Sequence, residues 1–114
     1  MPRNAPAQVG DPPLDEVINR LVGALSPRQI ILFGSHVYGE PTPDSDVDVM
    51  LLFDDDQFDR YELSKRGYSA LRGINVPVEL HFRTFSAFER RASVPASFEE
   101  EVRQRGRLAY AAED

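Results

Sequence analysis

The chain has 114 residues, 41% of them apolar and 28% charged, which is enough for one small soluble domain with its own core. It contains no cysteine, so a disulfide framework, a thiolate zinc site and a thiol nucleophile are all excluded. A net charge of −6 disfavours general binding to DNA, and the absence of a long apolar run or signal core leads us to expect a cytoplasmic protein with no membrane contact.

Residues 1–13 hold four prolines and no apolar period, and read as a disordered leader to a domain over residues 14–110. Asp11 offers an N-cap, and Pro12 and Pro13 suit a first helical turn. Leu14, Val17, Ile18, Leu21, Val22 and Leu25 then follow helical spacing, which predicts a helix over 13–25 ended by Ser26-Pro27. Residues 29–33 form an apolar run rich in β-branched side chains, read as a buried strand. Gly34-Ser35 makes a turn, residues 36–39 fit one helical turn, and residues 40–45 have loop chemistry.

Residues 46–53 predict a second strand. Val47, Val49, Leu51 and Phe53 face one side, and Asp46, Asp48, Met50 and Leu52 the other. Asp54-Asp55-Asp56 closes it as a solvated turn. A helix is expected over about 57–73 from the stripe Leu63, Gly67, Ala70, Leu71 and Ile74. Residues 76–82 predict a third strand, with Val78, Leu80 and Phe82 on its core face. Thr84 or Ser86 can cap a short helix to Arg91. A further helix begins at Pro95, carries Phe98 and Val102 four apart, and stops at Gly106. Residues 107–110 read as a short edge strand. The order predicts a mixed sheet flanked by helices, an α/β or α+β fold.

The charge is unevenly spread: residues 1–60 hold 11 acids and 4 bases, residues 61–114 hold 8 and 9. Three features of that pattern belong together. Gly34-Ser35 follows the first strand, Asp46-x-Asp48 opens the second, and Glu79 lies in the third. Residues two apart in a strand project the same way, about 6.6 Å apart at Cα. Asp46 and Asp48 therefore share a face, and Glu79, opposite Val78 and Leu80, falls on the same side of the sheet. Carboxylates crowded like this repel unless cations sit among them, and Mg²⁺ takes carboxylate oxygens together with substrate phosphates. Two such ions can activate an attacking oxygen and stabilise a leaving one. A glycine at a strand-to-helix junction lets phosphate approach the backbone, and the Ser35 hydroxyl adds a donor. Phosphate grip beside metal carboxylates points to phosphoryl or nucleotidyl transfer.

The stretch 32–39 (Leu-Phe-Gly-Ser-His-Val-Tyr-Gly), followed by Ser45-Asp46-Val47-Asp48-Val49-Met50, resembles the signature of the DNA polymerase β-like nucleotidyltransferase superfamily. The small size and the ending are similar to those of the minimal nucleotidyltransferases. The resemblance implies transfer of a nucleotide from an NTP with two Mg²⁺ ions. Gly34 and Ser35 would hold the triphosphate, Asp46 and Asp48 would ligate metal, and Glu79 would be the third carboxylate. Members often carry Asp at that third position and Arg after Gly-Ser, where this chain has His36, Val37 and Tyr38. The resemblance further implies an antitoxin that acts beside a small helical HEPN ribonuclease toxin, as a hetero-oligomer, moving AMP from ATP to a toxin tyrosine. A non-catalytic module that masks a partner and a transferase for antibiotic hydroxyls are the alternatives.

His81 shares the face of Glu79 and borders the site, where it reads more simply as a bystander. His36 suits a phosphate, a nucleobase or plain surface. Tyr38, Tyr61 and Tyr68 suit packing before stacking or modification. Arg90, Arg91, Arg103, Arg105 and Arg107 suit an acidic partner or ordinary surface.

Overall fold

The computed structural model describes residues 11–34, 37 and 46–112. Helix α1 (Pro12–Leu25) is followed by strands β1 (Gln29–Phe33) and β2 (Val47–Phe53) and a 3₁₀ turn (Asp55–Gln57). Helix α2 (Arg60–Ala70), strand β3 (Val78–Thr84), helices α3 (Phe85–Ala92) and α4 (Phe98–Arg105) and strand β4 (Arg107–Ala111) complete the order. Of the leader expected over residues 1–13, residues 1–10 lie outside the described residues, as do most of the helical turn at 36–39 and the loop at 40–45, whereas Asp11 caps α1 and Pro12 and Pro13 open it.

α1 starts where the chain supplies a cap. The Asp11 carboxylate accepts from the Leu14 N–H at 3.3 Å, and two prolines occupy the first turn, where their missing N–H groups cost nothing. The helix stops at Ser26, whose backbone turns left-handed (φ 51°) and whose N–H returns to the Val22 carbonyl. Its buried face is Val17, Ile18, Leu21 and Leu25.

The sheet order is β3-β2-β1-β4, with β2 and β3 parallel and β1 antiparallel to both β2 and β4. Among the described residues the fold is a mixed four-stranded sheet flanked by four helices, α+β in class. Val47, Val49, Leu51, Phe53, Leu80 and Phe82 point into one core, shared with α1 and Leu63 of α2. Ile31, Phe33, Met50 and Leu52 point into a second, covered by Phe88 and Ala92 of α3 and Val102 of α4. β2 is therefore buried on both faces over most of its length, which its continuous run of apolar residues after Asp48 requires.

Element limits differ from the sequence expectation in places, for local reasons. α2 begins at Arg60, not near 57, because Asp59 is the cap that accepts from the Glu62 N–H, while Asp54 and Gln57 fold back into the 3₁₀ turn. β3 begins at Val78, since Pro77 has no N–H to give the ladder; its carbonyl instead accepts from Val47 N–H at 2.9 Å. β3 runs on to Thr84, which pairs with Phe53 and then caps α3. Ser97 caps α4, which ends at Gly106. Among the described residues, no helix is long and apolar enough to cross a membrane.

Candidate functional site

Three strand ends meet at one edge of the second core. β1 finishes at Phe33, and because β1 and β2 run antiparallel, that end lies beside the start of β2; the parallel β3 starts there too. The register sets Phe33 opposite Asp48, and Asp48 opposite Glu79. Directly paired residues project to the same face, and His81, two positions past Glu79, joins them. Deeper along this face Ile31, Met50 and Leu52 lie under α3 and α4. Coverage ends at Phe98, whose ring meets that of Phe33 edge-on at 5.5 Å and is 45% exposed.

His81 Nε2 lies 3.3 Å from Asp48 Oδ1 and 3.9 Å from Glu79 Oε2. One ligand atom from each of the three residues lies within 4.8 Å of the others. The side chains of His81 and Asp48 are 21% and 25% exposed, and that of Glu79 58%, so the group is open on the Glu79 side. Phe33 and Phe98 pack against one side of the His81 ring, at 5.1 and 6.4 Å, which restricts its swing on that side. Two carboxylates and an imidazole are donors that divalent cations accept, and a cation offsets the repulsion between the carboxylates. The residues present fit such an ion.

Gly34 forms the wall beside Asp48. Its φ is +91°, which L-residues rarely adopt, and an added Cβ would fall on the Asp48 carboxylate. The bare backbone of Gly34 thus lies next to Asp48, and the Val37 N–H donates to the Gly34 carbonyl at 2.9 Å to close the turn. Ser35 and His36 lie outside the described residues. Asp46 stands immediately before β2, exposed and outside the group formed by Asp48, Glu79 and His81.

Residues 14–107 match the family model of the nucleotidyltransferase domain. The chain belongs to that family. No curated protein matches it significantly. The match supports the DNA polymerase β-like superfamily that the motifs resemble, and the mixed sheet with its helices is consistent with the nucleotidyltransferase fold. Within this nucleotidyltransferase domain, the Gly of the Gly-Ser turn and the second Asp of the Asp-x-Asp pair come to lie side by side, although 13 positions separate them in the sequence.

His81 is the member of the group that sequence reading set aside. The signal was present, since strand parity already put it on the face of Glu79. What parity does not convey is the reach of the imidazole across the ladder to Asp48. Several of the remaining candidates have structural partners. Asp54 pairs with Arg28 at 3.1 Å and Asp55 accepts from the Ser86 hydroxyl at 2.9 Å, as a solvated turn requires. The Tyr68 hydroxyl accepts from the Leu80 N–H at 3.0 Å, while Tyr61 is exposed. Arg91 faces Glu99 at 3.6 Å, and Arg103 pairs with Glu89.

Proposed function

We propose that the chain is a Mg²⁺-dependent nucleotidyltransferase that moves AMP from ATP to a hydroxyl. The acceptor is a tyrosine of a small helical HEPN ribonuclease toxin, which the transfer silences, so that the chain is its antitoxin. The single observation that carries the catalytic part is the convergence of Asp48 and Glu79 beside the bare backbone of Gly34, in a chain of the nucleotidyltransferase domain family. The acceptor and the antitoxin role are supported by the resemblance to minimal nucleotidyltransferases at Gly34-Ser35, Asp46-x-Asp48 and the C-terminal segment.

In this reading Gly34 and Ser35 hold the triphosphate, and the missing side chain at Gly34 leaves the Asp48 carboxylate its place beside that turn. Asp46, Asp48 and Glu79 hold the cations. When bound, divalent cations supply positive charge to the phosphates and make the acceptor hydroxyl more acidic. The acceptor oxygen bonds to the α-phosphorus as the bond from that phosphorus to the bridging oxygen breaks. Glu79, the open member of the group, takes the hydroxyl proton, and pyrophosphate leaves with the bond's electron pair. A hydroxyl nucleophile is weak until a base or cation activates it, and this assigns Glu79 its role.

The test is to mix the purified chain with ATP, Mg²⁺ and candidate partners, any small helical protein whose reading frame adjoins this one first among them, then to map modified residues by mass spectrometry. AMP on a tyrosine of such a partner is the expected result. Tight binding without modification would support the masking module instead, and AMP on an antibiotic hydroxyl but not on protein would support the antibiotic-modifying enzyme.

A further inference from the structure

The signature motifs account for Gly34, Ser35, Asp46, Asp48 and Glu79, and leave His81 without an assignment. Its position is not that of a bystander. Nε2, the outermost atom of the ring, is the atom that meets Asp48 at 3.3 Å and Glu79 at 3.9 Å. Phe33 and Phe98, themselves in contact at 5.5 Å, pack together against one side of the ring at 5.1 and 6.4 Å, so packing closes that side and leaves Nε2 toward the carboxylates. Donors bound to one cation at about 2.0–2.2 Å stand roughly 3–3.5 Å apart when they are neighbours. The His81–Asp48 separation already has that value, and the exposed Glu79 side chain closes the rest by rotation.

We propose that His81 is an ion-selecting ligand: its Nε2 joins Asp48 and Glu79 on one divalent cation, and this one-nitrogen, two-carboxylate set prefers Mn²⁺, Co²⁺ or Zn²⁺ to Mg²⁺. Mg²⁺ takes oxygen ligands and sheds its water reluctantly, whereas imidazole suits the transition cations. The neutral imidazole binds through the Nε2 lone pair with its proton on Nδ1. The low exposure of His81 and its aromatic neighbours on one side mean that little side-chain freedom is lost on binding. The nucleotidyltransferase then works with a mixed set, His81 choosing the ion held by Asp48 and Glu79 while Asp46 serves the oxygen-ligated one. This inference rests on the carboxylate site proposed above, and it is independent of the acceptor.

The experiment compares Mn²⁺ and Mg²⁺ affinity of the whole chain without nucleotide, by calorimetry and by Mn²⁺ electron paramagnetic resonance, in the parent and in His81→Gln. Gln retains an amide N–H able to donate to Asp48 but is a poor ligand for these ions. The parent is expected to bind Mn²⁺ at least tenfold more tightly than Mg²⁺. His81→Gln is expected to lose about 10–100-fold in Mn²⁺ affinity while its Mg²⁺ affinity changes little. Equal Mn²⁺ affinity in the two proteins would make His81 a positioning residue for Asp48 and overturn the inference, leaving the carboxylate site intact. Failure of the parent to bind either ion would overturn both readings. A second measurement needs no variant at position 81. The chain has two histidines, and ¹⁵N spectra should show Zn²⁺, but not Mg²⁺, shifting the Nε2 signal that persists in His36→Gln. An unshifted signal contradicts the proposal.

Discussion

The backbone of Gly34 lies so close to the Asp48 carboxylate that a Cβ at position 34 would overlap Oδ2. With φ at +91°, the same position also disfavours any L-residue on its own account. Gly34→Ala should therefore cost about 1–2 kcal/mol in denaturant unfolding. It should also displace Asp48 and weaken cation affinity about tenfold or more, the scale seen when a ligand loses its support. Calorimetry and urea titration check both, and a variant unchanged in both would show that the close approach has no consequence.

The two aspartates of the Asp-x-Asp pair are predicted to differ. Asp48→Asn removes a member of the group with Glu79 and His81, and should abolish cation binding and transfer together. Asp46→Asn, outside that group, should leave the affinity for a first cation about unchanged while transfer falls with the loss of the second ion. Both variants should melt with the parent, because neither side chain belongs to either core. Equal cation affinity in parent and Asp48→Asn would contradict the site.

Glu79→Gln preserves size but cannot take a proton. Nucleotide affinity should persist while transfer falls by about two to four powers of ten, the usual scale for a lost general base. Glu79→Asp tests reach: activity retained there means the site tolerates either carboxylate length. Transfer by Glu79→Gln at the parental rate would move the base elsewhere.

Much of this arrangement was legible in the sequence, and the parts that were not have physical reasons. The buried stripe of α1 follows from spacing alone, and Asp11 and Gly106 mark helix ends as their chemistry dictates. The period of two put Asp48 and Glu79 on one face without any knowledge of which strands pair. The start of α2 was not legible, since Asp54, Asp55, Asp56 and Asp59 are all good caps and only packing selects Asp59. Nor could local sequence tell that β4 joins β1 and not β3, a choice made by the return of the chain from α4. For His81, parity gave the face but not the reach of Nε2 to Asp48 nor the aromatic pair packed against one side of the ring.

Tyr68 provides a test of the fold without touching the site. Its hydroxyl accepts from the Leu80 N–H on the edge strand β3, which holds Glu79 and His81 in register with β2. Tyr68→Phe should lower unfolding free energy by about 1 kcal/mol, the net worth of one such bond. Amide exchange at Leu80 should quicken. No change in either would mean that water replaces the hydroxyl at no cost.

The central claim, transfer of a nucleotidyl group through Asp48 and Glu79, is tested most directly with position-specific label. The parent chain, with Mg²⁺ or Mn²⁺ and a candidate helical partner, is given ATP labelled at the α-phosphorus or at the γ-phosphorus, beside Asp48→Asn under the same conditions. The account predicts label on the partner from α-labelled ATP only, in the parent only. Label from γ-labelled ATP, or equal α-label transfer by Asp48→Asn, would contradict it.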